Sequence, residues 1–420
     1  MTTSATGPKR LFSGGKLRWF LLALLFAASF LNYVDRSTVS ILKETLKGVF
    51  GMGEGDYADL VNAFTACYAA AYIASGWVVD KIGPRHALVL FAGVWSLVTV
   101  GCGFAQSFTQ LLLLRALLGL AEPGLQPVNI RVATAWAPEG RRGLFMCLCG
   151  VGSSIGSIAA GFIIVRLTLA WSWHWAFILP GAVGLLICAV WWVVYRDPDK
   201  LPEPPRQAAA PPARTLTWPQ LWGTRALWGI VLARLLSDPV WYFLLFWLPG
   251  YLEKQQAVDF GLLGIAGLPF LASFAGGIVM SMLSDRLARR HPRDPLNGRK
   301  NLLYAVSLLG PLCILVPHLG SLWLTMLAFC LIAVVCTAWL STLAPILAEI
   351  FPVGNVGSVW GIAGAFGAAG AFVFNKLLGL VGAGNFPLTL PQLFLIMGFL
   401  HLAAAVLLWA LVRRPSPTKI

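Results

Sequence analysis

The chain has 420 residues, of which 58% are hydrophobic and only 11% are charged. Soluble domains carry about 25% charged residues, so this composition excludes an ordinary soluble protein and predicts a membrane protein with many spans. The net charge of +14 would suit either nucleic acid or anionic lipid as a partner, and the location of the basic residues decides between them.

Twelve apolar windows follow one another along the chain, each long enough to cross a bilayer as a helix of about 20 residues. The predicted spans are 18–42, 57–80, 86–106, 109–136, 142–166, 172–195, 225–252, 260–287, 300–318, 321–350, 354–381 and 389–412. A polar segment rich in proline and alanine has the composition of a linker. The sequence therefore predicts an N-terminal six-helix bundle in 1–195, a cytoplasmic linker at 196–224 and a C-terminal six-helix bundle in 225–420.

Lysine and arginine are distributed unevenly between the two ends of the predicted spans. If the N-terminus is cytoplasmic, 22 of the 31 basic residues fall on cytoplasmic segments and only four on external ones. This strong positive-inside bias predicts that both termini are cytoplasmic. It also accounts for the net charge without nucleic acid, because the basic loops would face anionic membrane lipids.

Charged side chains lie deep inside the first and fourth predicted spans. Asp35 and Arg36 are adjacent in the first span, where one charge at the bilayer centre costs about 2.5–3.5 kcal/mol. In the fourth span Glu122 follows Arg115 by nearly two helical turns and Gln126 follows by one more, so the three would share a helix face. Such a face avoids lipid and predicts a polar cavity between helices. The alternative is an ion-pair network that only holds the helices together.

Two patterns repeat between the halves of the chain. The segment GWVVDKIGPR at 76–85 ends the second span, and SMLSDRLARR at 281–290 ends the eighth, with their acid–base pairs 205 residues apart. Pro138 and Pro352 are each followed by glycines 5, 12 and 18 residues later. Parallel repeats with a site at their interface are a transporter architecture, and glycines at such spacing allow close helix packing.

The motif at 76–85, repeated imperfectly at 281–290, resembles the signature of the major facilitator superfamily. The segments NYVDR at 32–36 and RALLGLAEP at 115–123 resemble its anion:cation symporter family, and VGSSIG at 151–156 and ARLLSDPVW at 233–241 are most similar to bacterial hexuronate transporters. The resemblance covers nearly the whole chain except the linker. It implies an all-α membrane protein with twelve transmembrane helices in two six-helix bundles related by a pseudo-two-fold repeat. It also implies proton-coupled uptake of a sugar acid across the bacterial inner (plasma) membrane.

Two acids are candidates for proton coupling, Asp35 and Glu122, since a carboxyl group away from water can take up and release a proton near neutral pH. An anionic substrate needs a guanidinium group, which binds a carboxylate with two parallel hydrogen bonds, and Arg36 and Arg115 are candidates for this role. The substrate would compete with the acid for the arginine, and the displaced acid would take up a proton. Anion and proton would then bind cooperatively.

Further substrate contacts are predicted in both halves. Tyr33 and Tyr68 would offer phenol hydroxyls, and the spacing of Arg234 and Asp238 allows an intrahelical pair just before a break expected at Pro239. A pair that only packs at this kink is the alternative. The complete set of predicted substrate-binding residues is Tyr33, Arg36, Tyr68, Arg115, Gln126, Ser153, Arg234, Asp238, Trp241 and Trp360.

The repeated motif predicts a gate at the cytoplasmic ends of the helices. We expect its residues to hold these ends together when the site faces outward, without touching the substrate. They are Gly76, Asp80, Lys81, Gly83, Arg85, Asp285 and Arg286.

The sequence predicts neither an enzyme nor a metal centre. The chain lacks the Gly-Lys-Ser/Thr sequence of a phosphate-binding loop, and its eight cysteines show no metal-ligand spacing. We expect a monomer among membrane lipids, with a small organic anion as substrate, a proton as coupling ion, no cofactor and no nucleic acid. Two alternatives remain. One is transport of another organic anion, such as an aldonate, a dicarboxylate or an aromatic carboxylate, and the other is anion exchange without proton coupling.

Overall fold

The structure, a computed structural model, describes residues 14–136, 142–196, 216–290 and 294–413. Every regular element within these ranges is helical. The α-helices are α1 (Gly14–Ile41), α2 (Lys43–Phe50), α3 (Glu54–Cys102), α4 (Phe108–Ala121), α5 (Leu125–Trp136), α6 (Arg142–Ala170), α7 (Trp175–Val194), α8 (Trp218–Trp222), α9 (Arg225–Phe246), α10 (Leu248–Gln255), α11 (Leu268–Arg290), α12 (Pro295–Ser307), α13 (Leu312–Leu315), α14 (Leu322–Ile350), α15 (Val353–Gly382) and α16 (Leu390–Leu411). Short 3-10 segments lie at Glu122–Gly124, Phe260–Gly267 and Val316–His318. Most of the predicted linker, 197–215, lies outside the described residues, as does Pro138 of the repeated glycine pattern.

Eleven helical stretches in the described part of the chain are long and apolar enough to cross a membrane. Each coincides with one of the predicted spans. The remaining prediction, 57–80, is helical and forms the first half of α3, but it is not among the eleven. The all-helical membrane fold predicted from the composition and the spans is therefore confirmed.

A single glycine interrupts the helix between the second and third predicted spans. Although α3 runs for 49 residues, its backbone leaves the helical region at Gly83, where φ is 76° and ψ is 159°. Glycine adopts a positive φ without a steric penalty, and Pro84 next to it lacks the N–H that would continue the helical hydrogen bonds. The connection between these spans is thus a tight kink with no loop.

The seventh predicted span shows one correction. Helix α9 passes through Pro239 without a break and ends at Phe246, so the break expected at the proline is wrong. A proline cannot donate to the carbonyl four residues earlier, which here is that of Leu235, and this carbonyl faces Gly370 of α15. A Cβ at Gly370 would overlap the carbonyl oxygen. The carbonyl that cannot bond to Pro239 therefore lies at the close contact between α9 and α15, and prolines within membrane-spanning helices are tolerated where neighbouring helices pack against the freed carbonyl.

Within each half, a glycine at a matching position allows two helices to pack closely. Gly156 on α6 lies against the backbone of Phe30 on α1, as Gly370 on α15 lies against Leu235 on α9. At both contacts a side chain would collide with a carbonyl oxygen, so glycine permits the close approach. Phe30 and Leu235 are 205 residues apart, the same spacing as the acid–base motif pairs. The repeat seen in the sequence thus has a structural counterpart.

The two halves meet at the end of the molecule where Glu54 begins α3, which we call the Glu54 end. One cluster of buried apolar side chains extends there from the N-terminal half into α9, α10 and α16, whereas a second cluster lies wholly in the C-terminal half. The Tyr57 hydroxyl donates a hydrogen bond to the Phe246 carbonyl across the interface. Gly379 and Gly382 of α15 let that helix approach the start of α3.

Candidate functional site

A cavity of about 280 Å³ lies between the two halves and is lined by residues of α1, α3, α5, α9, α14, α15 and α16. Its volume is near the lower limit of small-molecule pockets, about 300 Å³. Eight of the ten predicted substrate-binding residues line it: Tyr33, Arg36, Tyr68, Gln126, Arg234, Asp238, Trp241 and Trp360. The fold therefore gathers residues from distant parts of the sequence around one small space.

Arg36 forms the N-terminal wall of this cavity. Its Nε donates to Oε2 of Glu122 at 2.5 Å. Its guanidinium carbon lies 5.1 Å from the ring centroid of Tyr33 and 4.6 Å from that of Tyr68. The Arg36 side chain is 10% exposed and lines the cavity, whereas the Glu122 side chain is 0% exposed and does not. The arginine thus faces the cavity and the acid lies behind it.

Arg115 and Asp35 are buried outside the cavity lining. Arg115 packs over the Phe64 ring at 4.7 Å, and none of its guanidinium nitrogens has a hydrogen-bond partner among the described residues. Oδ2 of Asp35 accepts a hydrogen bond from the Thr99 hydroxyl at 3.3 Å. Ser153 on α6 also lies outside the lining. Two predicted substrate contacts, Arg115 and Ser153, therefore do not reach the cavity in this conformation.

Arg234 and Asp238 form the opposite wall from one turn of α9. Oδ2 of Asp238 lies 2.6 Å from Nη2 and 2.9 Å from Nε of Arg234, the intrahelical pair that their spacing predicts. The Ser237 hydroxyl lies 3.4 Å from the other carboxylate oxygen, and the Trp360 ring centroid lies 5.1 Å from the Arg234 guanidinium carbon. Unlike Glu122, the carboxylate-bearing side chain of Asp238 itself lines the cavity.

Nine further residues line the cavity and are absent from the predicted substrate-binding set: Tyr72, Ser237, Tyr242, Leu245, Cys336, Trp339, Leu340, Gly364 and His401. Helical spacing could have found two of them, because Tyr72 is four residues after Tyr68 and Tyr242 is four after Asp238, which places each pair on one face. An ionisable residue in an apolar span is itself a signal, and His401 is such a residue.

An ionic cluster around Glu54 joins the two halves. The Glu54 carboxylate lies 2.8 Å from the ammonium nitrogens of Lys43 and Lys47, and it pairs with Lys254 from the C-terminal half. Burial alone would raise the pKa of Glu54, but the surrounding ammonium groups lower it to about 2. Glu54 therefore remains ionised at physiological pH, and its charge holds Lys254 against the N-terminal half.

A second ion pair between the halves is more exposed. Nζ of Lys376 on α15 lies 2.5 Å from Oδ1 of Asp59 on α3, with side chains 44% and 47% exposed. Within the described ranges, the ion pairs between the halves all lie at the Glu54 end. This conformation is therefore held closed at that end.

The predicted gating residues of the N-terminal half surround the kink in α3. Arg85 donates to the carbonyl of Trp192 at 2.8 Å and its guanidinium carbon lies 4.6 Å from the centre of that ring, which ties the kink to α7. Lys81 and Gly76 lie on the helix just before the positive-φ residue Gly83. The predicted gating side chain of Asp80 lies outside the described part of the structure.

The predicted gating residues of the C-terminal half lie at the end of α11. Asp285 pairs with Arg299 of α12 at 3.0 Å, and Arg299 also pairs with Glu349 of α14 at 2.8 Å. Arg286 lines the same surface pocket as Asp285. These contacts join helices of one half and do not cross to the other.

The chemistry of the central cavity suits a small anion. Its lining offers two guanidinium groups, one carboxylate, one histidine and four tyrosine side chains among indole rings. Within the described residues, no group of three His, Cys, Asp or Glu side chains could hold a metal ion. The arrangement can bind a carboxylate at an arginine and exchange hydrogen bonds with several hydroxyl groups.

Comparisons with known proteins cover most of the chain. The family model described as Major Facilitator Superfamily matches residues 25–335. The hexuronate transporter of Escherichia coli (strain K12) is 25% identical over 419 residues, which cover 96% of both chains. The probable galactarate/D-glucarate transporter of Bacillus subtilis (strain 168) is 28% identical over 334 residues, 73% of each chain. A solved bacterial homologue of the human lysosomal transporter Spinster, inward-facing and occupied, has a TM-score of 0.72 at 18% identity and is matched over 96% of this chain and 99% of its own.

Proposed function

The chain belongs to the major facilitator superfamily, and from this premise we propose that it is a secondary transporter that moves a sugar-acid anion together with a proton. The family match and the relatives named as transporters of sugar acids support transport, and not catalysis, as its activity. The position of the cavity supports it as well, because transporters built from parallel repeats bind their substrates at the interface between the repeats.

The ion pair between Arg36 and Glu122 carries this proposal. A substrate carboxylate in the cavity would meet Arg36, whose planar guanidinium group can bind it through two parallel hydrogen bonds. Glu122, buried behind the arginine, would then share or lose its counter-ion. A buried carboxyl group without a charge partner takes up a proton, because the ionised form is too poorly solvated. Anion and proton therefore favour each other's binding, and by linkage the effect is reciprocal.

Asp35 is the second candidate for proton uptake. It precedes Arg36 in the sequence, its side chain is buried, and it accepts a hydrogen bond from Thr99. A monoanion that enters with one proton moves no net charge, whereas a second proton on Asp35 would make uptake electrogenic, and each charge is worth about 2.3 kcal/mol per 100 mV. The voltage dependence of uptake thus reports whether a second proton takes part.

The remaining walls of the cavity suit a polyhydroxylated substrate. Tyr33 and Tyr68 place phenol groups beside Arg36, and Gln126 adds an amide that can donate and accept. On the far wall Arg234 can donate to hydroxyl groups and Asp238 can accept from them. We therefore propose a hexuronate, such as glucuronate or galacturonate, as the first substrate to test.

Transport would proceed by alternating access, with the two halves rocking about the cavity. If the N-terminus is cytoplasmic, as the basic residues predict, the Glu54 end faces outward and this conformation is closed to the outside. Opening it would separate Lys254 from Glu54 and Lys376 from Asp59. The motif residues around Gly83 would then hold the cytoplasmic ends together. We place the protein in the bacterial inner membrane as a monomer.

Uptake into proteoliposomes tests this function. Purified protein would be reconstituted, and labelled glucuronate or galacturonate would be supplied under an imposed inward proton gradient, with and without a membrane potential. Concentrative uptake that collapses on addition of a protonophore supports the proposal. Exchange that needs a counter-anion and ignores the proton gradient would identify an anion exchanger. Folded protein that moves neither acid would contradict the hexuronate assignment.

A further inference from the structure

The two walls of the central cavity carry different charges. On the N-terminal wall only the cation Arg36 faces the cavity, because its partner Glu122 is completely buried behind it. On the C-terminal wall both members of the pair, Arg234 and Asp238, line the cavity. The first wall therefore presents a net positive charge and the second presents an ion pair with no net charge. One anionic group of a ligand can pair with Arg36, whereas a second anionic group finds no unpaired cation in this lining.

The carboxylate of Asp238 is held in place from several sides. Arg234 binds one of its oxygens through two nitrogens, and the Ser237 hydroxyl lies 3.4 Å from the other. A Cβ at Gly367 of α15 would overlap the Asp238 carboxylate, so this glycine provides the space that the acid occupies. The carboxylate thus packs directly against α15 and is held by Arg234, so a ligand at that wall meets its negative charge.

The internal repeat shows that the negative charge of Asp238 has no counterpart at the equivalent position of the N-terminal half. The spacing of 205 residues that relates Phe30 to Leu235 also relates Tyr33 to Asp238. Both side chains line the cavity, but the N-terminal position has a neutral phenol and the C-terminal position has a carboxylate. The site is therefore polarised along the line between the two walls.

We propose that Asp238 determines the charge of the substrate: the site accepts sugar acids with one carboxylate and a neutral hydroxylated end, and it rejects sugar diacids. This inference rests on the proposed function, and it narrows the substrate class. A monoacid can place its carboxylate at Arg36 and its hydroxyl groups at Arg234 and Asp238, where the carboxylate accepts hydrogen bonds. The second carboxylate of a diacid would face Asp238 in a site of low dielectric constant, where like charges repel strongly.

A matched pair of ligands tests this on the unaltered protein. Galactonate and galactarate share their carbon chain and their inner hydroxyl groups, and they differ in whether the last carbon is an alcohol or a carboxylate. Equilibrium binding to the purified full-length protein would be measured for both acids and for glucuronate and galacturonate. We expect galactarate to bind at least tenfold more weakly than galactonate. Equal or tighter binding of galactarate would overturn the inference while leaving sugar-acid transport intact.

The variant Asp238→Asn tests the residue itself. It removes the negative charge with little change in volume and frees Arg234 to meet a second carboxylate. We expect the ratio of the galactonate affinity to the galactarate affinity to fall at least tenfold relative to the wild-type protein. The matched control is Glu349→Gln, which neutralises another arginine-paired acid of the same half that does not line the cavity, and it should leave the ratio unchanged.

The outcomes separate the inference from the function on which it rests. A folded Asp238→Asn protein that binds galactonate with an unchanged ratio contradicts the role of Asp238. If Asp238→Asn does not fold, the wild-type ratio still decides whether the site excludes diacids. If the folded wild-type protein binds none of the four acids, the proposed sugar-acid function fails, and the inference fails with it.

Discussion

The Arg36 guanidinium group lies between the cavity and the Glu122 carboxylate, with its Nε 2.5 Å from the buried acid. Arg36 would bind the symported anion, and Glu122 would bind the proton. The arginine therefore has the cavity on one side and its acid partner on the other. A ligand can reach the arginine but cannot reach the acid. The coupling between them therefore passes through the ion pair itself.

Glu122→Gln removes the acid that we propose to carry the proton. We expect this variant to lose uptake driven by a pH gradient and to retain exchange of labelled for unlabelled substrate, because Arg36 remains available to the anion. Counterflow and gradient-driven uptake measured on the same proteoliposomes check this. A variant that still concentrates substrate at the wild-type level would show that Glu122 is not the coupling acid.

Arg36→Lys replaces a planar fork with a point charge. Since hydrogen bonds to charged groups contribute about 1.5–3 kcal/mol, we expect substrate affinity to fall by about 10- to 100-fold. The matched variant is Arg115→Lys, which changes an arginine outside the cavity lining and should alter thermal stability more than affinity. The substrate affinity and the thermal stability of both variants would be measured by titration and by thermal unfolding. An equal loss of affinity in both would place Arg115 in the binding site.

Glu54→Gln should favour opening of the Glu54 end, because it removes the charge that holds Lys254 of the other half. Asp59→Asn should have a smaller effect, since the exposed pair with Lys376 belongs to a class worth about 0–1 kcal/mol. Distances between spin labels on α2 and α10 measure the open fraction. The ranking is contradicted if Asp59→Asn opens this end as far as Glu54→Gln does.

Acid should open the same end, but only well below neutral pH. The closed state lowers the pKa of Glu54 from its ordinary value of 4.5 to about 2, so its stabilising contribution is complete above pH 4.5 and is lost as the pH falls through about 2. We expect constant label distances from pH 8 to pH 5 and a shift to longer distances below pH 4.5. In Glu54→Gln this acid-induced shift should be smaller, because among the described residues only Glu44 and Asp59 then remain as carboxylates paired across the halves. An opening between pH 7 and pH 6 that depends on Glu54 would contradict the assignment.

Two glycines of α15 should respond differently to alanine. A Cβ at Gly370 would overlap the Leu235 carbonyl, whereas one at Gly364 would lie 3.4 Å from the Tyr72 ring, which is an ordinary contact. We expect Gly370→Ala to destabilise the fold by about 1–3 kcal/mol and Gly364→Ala to be nearly neutral. Thermal unfolding in detergent compares them. Equal stability of the two variants would exclude the close contact between α9 and α15.

The sequence predicted most of the fold, because a bilayer demands long apolar helices that hydropathy reveals directly. Eight of the ten residues predicted to bind substrate line the cavity, and charges inside spans helped to select them, since such charges are rarely placed there without a function. The sequence did not distinguish Arg36 from Arg115 as the residue facing the cavity. Helical periodicity defines a face of one helix, but only the packing of neighbouring helices decides what that face meets. The error at Pro239 has the same origin, because the helix that packs against the Leu235 carbonyl, α15, is distant in the sequence.

The most direct test of the account is the number of protons taken up when substrate binds. Glucuronate or galacturonate would be added to purified protein in weakly buffered solution containing a pH indicator, at a pH where the substrate is fully ionised. We predict proton uptake in proportion to binding by the wild-type protein, and none by Glu122→Gln at the same occupancy. Saturable binding without proton uptake by the wild-type protein, or equal uptake by both proteins, would contradict coupling through the Arg36–Glu122 pair.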